Sequence, residues 1–597
     1  MTTIFQPMNT LFRTLSRRSL KSINKLSLCC SAALLTTGCM SNNTQLNTQE
    51  SLQNNPEHVF YGTLNPYASE QVYFLLTDRF VDGDPSNNQE QQGKEKGEQF
   101  HTFNRPLVSD TGEQANVGYM GGDFQGVLNN AQYIKDMGFT SIWMTPPFQN
   151  PDEAFTGGEP VTYGAYYKDG GKTGYHGYWG VNFFEIDEHL PSENLSFEQF
   201  IAALKQDYNL NFVLDIVANH GSPSYSMPED QPMFGEIYDE SGTLIADHQN
   251  IHPEQLDHNN PLHTFFNKHT GLAQLSDVNE NNPAALDYFE AAYLKWLGQG
   301  VHAVRIDTIK EIPHSFWQAL LGRLRQHHPD MFFFGESYSY EAEFIAEHTY
   351  KENGGASVLD FPGQAAITKV FENADSSYQD ILSYLHLYDG IYHNPYELMT
   401  FYDNHDMARM NATDNGFINA NNWLFTSRGI PVIYYGSESN FMTGKKEHEG
   451  NRNYFGQERV NAAKQHPIQN ALSKIADVRK NNVALQRGIQ INLDFKEDTA
   501  SFYRVYQNGF ENQTALVLLN KGDTPAEFSV SKFLSTGLYL DAMTGEHTIV
   551  DQNQPSINTT VPANGVKVLV MNNKTNNLGM LYELQKQQDA ILIGERQ

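Results

Sequence analysis

Short runs rich in apolar, β-branched and aromatic residues recur along the chain. They are Gln71–Thr77, Phe139–Thr145, Asn211–Val217, Ala303–Asp307, Phe332–Glu336, Ser357–Phe361, Leu398–Tyr402 and Pro431–Tyr435. Several are continuous rather than alternating, the pattern of strands buried on both faces. Segments with helical spacing lie between them, among them Phe197–Lys205, Ala284–Leu297 and Ser315–Arg325. Eight strands with interposed helices predict an α/β fold, a (β/α)8 TIM barrel; a doubly wound sheet satisfies the strand count equally well. The stretch 219–281, rich in Pro, Asn, Asp and His, is too long for an ordinary loop and predicts an inserted subdomain B after strand 3. After Val483 short alternating runs such as Ser501–Tyr506, Thr514–Leu519 and Val566–Met571 are separated by Asn/Gly turns. They predict a C-terminal all-β sandwich over 483–572. The Gln/Leu-rich tail, 573–597, fits a helix or a frayed end. The barrel would then comprise 61–218 and 282–482.

The N-terminus reads differently. Residues 1–38 carry Arg13, Arg17, Arg18, Lys21 and Lys25 and no acid, and an apolar stretch runs from Leu26 to Leu35. It is too short to span a bilayer and suits the core of a signal peptide. Its end, Leu35-Thr36-Thr37-Gly38-Cys39, resembles a bacterial lipoprotein signal, with Thr36 where that pattern has Leu. The expectation is export from a bacterial cell, with the chain lipid-anchored through Cys39 at the outer membrane or cell surface, or else periplasmic or secreted. The polar residues 39–60 would be a tether.

Composition narrows the function classes. The three cysteines, Cys29, Cys30 and Cys39, leave the body without a disulfide or a thiolate metal site. The net charge is −30, and −35 once residues 1–38 are removed, which excludes a broad basic face for nucleic acid. With 39% hydrophobic and 18% charged residues the chain is neither an integral membrane protein nor wholly disordered.

Polar residues collect at the C-terminal ends of four predicted strands: Asp215-Ile-Val-Ala-Asn219-His220, Arg305-Ile-Asp307, Gly335-Glu336 and Asp403-Asn404-His405-Asp406. That rim is where such a barrel carries chemistry. The motifs DIVANH (215–220), VRIDTIKE (304–311), FGES (334–337) and FYDNHD (401–406), with LSDVN (275–279), resemble the α-amylase family of retaining glycoside hydrolases and transglycosylases. The resemblance covers about residues 68–572. It implies Asp307 as nucleophile, Glu336 as general acid and then base, and Asp406 as a group that binds sugar hydroxyls and stabilises the transition state. Arg305 would pair with Asp307. His176, His220 and His405 would contact the sugar at the cleavage point, and Tyr178 and Trp179 would offer it an aromatic surface, with a place in the core as the alternative for Trp179. Lys310 and Tyr338, the aromatic two residues after Glu336, would bind substrate, and Arg452 would border the distal donor subsites.

The same resemblance implies Ca2+ at one or two sites. The first would use Asn219, Asp277 and the backbone carbonyl of Glu311. The second would use Asp82, Asp84, Asn87, Asn88, Gly121 and Asp123; oxygen donors suit this hard cation. The layout is similar to the cyclodextrin glucanotransferase branch. There a large aromatic sits four residues before the calcium Asp, where this chain has Ala273. The implied activity is therefore that of an exported, calcium-dependent α-amylase, a monomer acting on starch, glycogen or maltooligosaccharides. The alternative is a cyclodextrin glucanotransferase, a cyclomaltodextrinase or another α-glucan transglycosylase.

Overall fold

The computed structural model describes residues 59–89, 97, 100–553 and 555–596. The predicted signal, Cys39 and nearly all of the tether lie outside them. Eight parallel strands form one sheet: β1 (Val72–Leu75), β2 (Ser141–Met144), β3 (Asn211–Ile216), β4 (Ala303–Ile306), β5 (Phe332–Gly335), β6 (Ser357–Val358), β7 (Met399–Thr400) and β8 (Ile430–Tyr434). Their order is β6-β5-β4-β3-β2-β1-β8-β7. The ring closes just past β6, where Leu359 bridges Met399 and the Asp360 N–H donates to the Met399 carbonyl at 2.9 Å. Closure selects the barrel over the doubly wound sheet. Seven strands lie within their predicted runs, and β8 begins one residue before its run. The runs are continuously apolar because both faces are covered, by the barrel interior and by the outer helices.

Local signals set the helices. In α1 (Phe197–Tyr208), Ser196 and Gln199 form a reciprocal capping box, Asn209 ends the helix at φ +53°, and Phe197, Phe200, Ile201 and Leu204 face the core. Asn282 caps α2 (Pro283–Leu297), which has proline in its first turn, and α3 (His314–His327) follows β4. Between β3 and α2, His220–Pro223 pairs antiparallel with Leu275–Asp277, and a hairpin joins Glu236–Tyr238 to Leu244–Asp247. A second long excursion follows β2, where Phe148–Gln149 pairs with Asn182–Ile186. Sequence analysis did not set it apart.

The C-terminal strands are β9 (Ile489–Phe495), β10 (Thr499–Gln507), β11 (Asn512–Asn520), β12 (Ala526–Val530), β13 (Gly537–Asp541), β14 (His547–Val550), β15 (Ile557–Val561) and β16 (Gly565–Met571). Six form an antiparallel sheet in the order β9-β10-β11-β16-β13-β14, and β12 and β15 form a separate pair. The tail is a helix, α4 (Leu578–Gly594), docked by buried Met580, Leu584 and Ile591. Its glutamines are bonded inward: Gln587 Oε1 accepts from the Tyr396 hydroxyl at 2.8 Å and Gln588 Oε1 from the Tyr61 N–H at 3.0 Å. Among the described residues no helix is long and apolar enough to cross a membrane.

Candidate active site

Strand periodicity places Arg305 and Asp307 on the same face of β4, pointing into the C-terminal mouth of the barrel. Arg305 is fully buried and gathers three carboxylates. Its Nη1 is 2.8 Å from both Asp307 Oδ1 and Asp215 Oδ1, and its Nη2 is 3.2 Å from Glu336 Oε2. Thr308 leaves the strand at φ +47°. That turn aims its N–H at Glu336 Oε2 (3.2 Å) and its hydroxyl at Asp307 Oδ2 (3.1 Å). The other oxygen of Asp215 accepts from Trp143 Nε1 and the Tyr178 hydroxyl, each at 2.9 Å.

Burial sets the proton affinities here. It pushes Glu336 up to about 8; Arg305 opposes this, while the charges of Asp307 and Asp406 add to it. Burial likewise pushes Asp215 up to about 7, against the pull of Arg305. Glu336 is thus poised as a protonated acid near neutral pH beside a carboxylate on the same guanidinium.

The three predicted histidines surround this group. His220 Nε2 is 3.9 Å from Asp307 Oδ2, and His405 Nε2 is 3.1 Å from Asp406 Oδ2. The His405 ring stacks on Tyr178 at 5.3 Å between centroids. His176 Nδ1 accepts from the Tyr178 N–H at 3.1 Å, and its buried Nε2 has no partner among the described residues. Burial lowers the proton affinity of all three, so they are neutral and able to donate from one nitrogen while accepting at the other. Asp406 is partly exposed, at the opening of the site. Arg452 Nη2 holds its Oδ1 at 2.7 Å, and Arg452 Nε donates to the His405 carbonyl at 3.0 Å. Arg452 is only 6% exposed, packed against Asp406 and His405.

Of the two places open to Trp179, the structure gives it the core. It is 2% exposed and packs with Phe155, Met227 and Phe234, so it offers no face to a sugar. Its apolar neighbours come from the two long excursions, which bury it between them. Lys310 and Tyr338 form a separate group: Lys310 Nζ donates to the Tyr338 carbonyl at 3.0 Å, and the Tyr338 ring lies 4.6 Å from Phe361. Sequence reasoning did not single out Asp215, Trp143 or Thr308 as site residues, although Asp215 opens the DIVANH run at a strand end. It also missed Lys172 and Glu447, which enter through Arg452.

The two predicted cation sites differ. In the second, Asp82 Oδ1, Asn87 Oδ1 and Asn88 Oδ1 are buried without a hydrogen-bond partner among the described residues. Gly121, at φ +87°, passes so close that an added Cβ would stand 2.3 Å from Asn88 Oδ1. Three inward oxygens with no donor fit a hard cation. Asp123 instead accepts three backbone N–H groups, from Gly83, Asp84 and Gly126, and burial pushes it up to about 6. Asp84 caps the short turn Pro85–Asn87. In the first site, Asn219 lies beside His220, and Asp277 Oδ2 accepts from Asn267 Nδ2 at 2.8 Å. Glu311 is exposed and 3.6 Å from Lys310. None of that set's side-chain oxygens is both buried and unpartnered among the described residues, so only its donor chemistry speaks for a cation. Asp152, Glu188 and His189, outside both predicted sets, bring ligand atoms within 4.8 Å of one another.

Comparison with known proteins adds to this geometry. The chain is 29% identical over 504 residues to a cyclomaltodextrin glucanotransferase of Thermoanaerobacterium thermosulfurigenes, an alignment covering 81% of this chain and 63% of that one. It is 29% identical over 509 residues to an alpha-amylase of Niallia circulans, covering 84% and 88%. A solved cyclomaltodextrin glucanotransferase with a three-domain ABC distribution superposes with a TM-score of 0.66 at 26% identity, covering 84% of this chain and 99% of that one. The chain therefore spans less than two thirds of some curated relatives and nearly all of others. The family model of the alpha-amylase catalytic domain matches residues 74–484, from the first barrel strand to the start of the C-terminal sheet. The chain belongs to the α-amylase family and is related to its cyclomaltodextrin glucanotransferases.

Proposed function

We propose that the protein is an exported, calcium-dependent α-amylase that hydrolyses internal α-1,4-glucosidic bonds of starch and related glucans with retention of configuration. The observation that carries this reading is the single Arg305 guanidinium bridging Asp307 and Glu336. Two carboxyl groups on one fork suit the short spacing of a retaining pair better than the wider gap that admits a water between them. Glu336 gives its proton to the glycosidic oxygen as Asp307 attacks the anomeric carbon; the carbon–oxygen bond breaks and a glycosyl ester forms. Glu336, now ionised, takes a proton from water, whose oxygen attacks the same carbon and releases Asp307 as a carboxylate. Neutral His176, His220 and His405 would hydrogen-bond the sugar, and Tyr178 would form the floor. Asp82, Asn87 and Asn88 would hold Ca2+, with Gly121 admitting it, and its contribution would be structural. Asn219 and Asp277 are the proposed ligands of a further ion. Cys39 is the proposed lipid attachment, and the enzyme is proposed to act as a monomer.

A transglycosylase is the second reading, supported by the three-domain glucanotransferase that shares this layout. It differs only in what attacks the ester, a sugar hydroxyl instead of water. Ala273, without a large ring, supports hydrolysis. Product analysis on soluble starch with calcium decides, with Glu336→Gln as blank. Linear maltooligosaccharides with rising reducing ends are expected. Cyclic or reshuffled products with little new reducing sugar would transfer the protein to the second reading, and full activity in Glu336→Gln would overturn both.

A further inference from the structure

A run of buried charges lies behind Asp406. Lys172, in the excursion after β2, is 7% exposed. Its Nζ is 3.1 Å from Glu447 Oε1 and 3.3 Å from Asp169 Oδ1. The same Glu447 oxygen is 2.7 Å from Arg452 Nη1, and the other arm of that guanidinium is the one that holds Asp406 at 2.7 Å. His448 Nε2 stands 3.3 Å from Glu447 as well. The run Lys172–Glu447–Arg452–Asp406 thus joins two segments 275 residues apart in sequence. Backbone bonds keep them in register: the Gly164 N–H donates to the His448 carbonyl at 3.0 Å, and His448 Nδ1 pairs with the Ala165 carbonyl at 2.7 Å.

The physics of the run is directional. A guanidinium is a rigid planar fork, so fastening one arm fixes where the other points. Glu447 fastens the first arm of Arg452, and Asp406 receives the second. Glu447 is a mostly buried carboxylate and keeps its charge only if cations compensate its lost hydration. Arg452 and Lys172 together hold it well below the usual carboxylate range, and Lys172 is held charged in return. Without Lys172, Arg452 alone would have to serve two carboxylates.

We propose that Lys172 is a positioning residue for Asp406: by anchoring Glu447 it sets the Arg452 fork, and through it the orientation of the Asp406 carboxylate toward the sugar. This rests on the α-glucan reading above. The competing account is an ion pair that merely ties two loops together.

The test compares Lys172→Met, Lys172→Arg, Glu447→Gln and the double variant Lys172→Met/Glu447→Gln in the full mature chain. It reads kcat, KM and melting temperature on a maltooligosaccharide of defined length. Lys172→Met is expected to lower kcat about 10- to 100-fold, the scale of a misplaced catalytic group, with KM changed less than about threefold. Lys172→Arg is expected to restore most of kcat. The double variant is expected to lose less than the product of the single losses, because the two residues act through one contact. If Lys172→Met does not fold, the double variant, which removes both charges together, decides by its kcat. A folded Lys172→Met with kcat within twofold of wild type overturns the proposal, as do strictly multiplicative losses or a loss that Arg does not rescue. A wild type inactive on every α-glucan overturns the functional reading itself and this proposal with it; an active wild type with an unmoved Lys172→Met overturns this proposal alone.

Discussion

Four of the buried arginines, two in each of two regions of the molecule, differ in their partners. At the barrel mouth, Arg305 and Arg452 face carboxylates, and each is held charged well above its ordinary range. Where the barrel meets the C-terminal sheet, Arg479 and Arg504 are equally buried, and their hydrogen bonds run to carbonyls. Arg504 Nη1 donates to the Thr426 carbonyl at 2.9 Å and its Nε to that of Gly488 at 3.2 Å. Arg479 Nη1 reaches the Leu485 carbonyl at 2.6 Å and its Nη2 that of Gly429 at 2.9 Å. Burial pushes Arg504 down to about 10 and Arg479 lower than its ordinary range too. A guanidinium balanced by dipoles closes chain ends between layers. At the mouth, Arg305 and Arg452, balanced by carboxylates, hold the groups proposed to act on the sugar, whereas the carboxylate-balanced pair Arg428–Asp360 elsewhere in the barrel serves the fold. Desolvation is common to both; what differs is whether the balance serves the fold or the reaction.

Lysine replacement separates the two roles, because it keeps the charge and removes the fork. Arg305→Lys is expected to lower kcat roughly 10³-fold, the loss typical of removing a key electrostatic contact in a closed site. Arg504→Lys is expected to leave kcat within twofold and to cost about 1–3 kcal/mol of stability, as carbonyl acceptors lose their donors. Steady-state kinetics and thermal unfolding on both variants check this. The comparison breaks if Arg504→Lys costs activity as heavily as Arg305→Lys does.

A third kind of balance occurs at the Asp82–Asn88 loop, where oxygens face inward and no donor meets them. If a cation completes that set, chelation should lower the melting temperature, and Asn88→Ala should abolish the dependence on added calcium. Calcium at about 100 times its dissociation constant would contribute roughly 2.7 kcal/mol. A melting temperature that ignores both chelator and calcium would show that the orphaned oxygens are not a metal site.

These balances also explain what was legible before the structure. The eight barrel strands were, because strands covered on both faces must be continuously apolar. The placing of Asp307, Glu336 and Asp406 just after such runs was legible too, while the roles expected of them came from the resemblance. Asp215 stood in plain view at another strand end, but only the structure shows it sharing Arg305. Lys172 and Glu447 carried no signal, since a polar residue in a loop does not announce a partner 275 positions away. Trp179 stayed open between surface and core for a related reason: it neighbours Tyr178 in sequence, and only the fold shows its ring turned into an apolar cluster of the excursions. The tail left helix and fraying open because its inward glutamines find their partners on distant segments, at Tyr396, Gln490 and Tyr61.

The smallest expected effect tests the carboxylate-balanced region most finely. Four influences besides burial act on Glu336. Arg305 and the Thr308 N–H favour its ionised form, and the charges of Asp307 and Asp406 disfavour it. The acid must be protonated to act, so activity is lost as pH rises through its effective value near 8. Asp406→Asn removes a negative charge from this set and makes proton release easier. The alkaline limb of kcat/KM should therefore move to lower pH, by less than about one unit for a charge that is partly screened at the site opening, on top of the fall in rate. Arg504→Lys should leave the limb where it stands, since its charge balances only dipoles far along the chain. A limb that stays put in Asp406→Asn would mean that the Asp406 charge does not help set the proton on Glu336, and one that moves to higher pH would mean that Asp406 favours the ionised form, against the sign argued here.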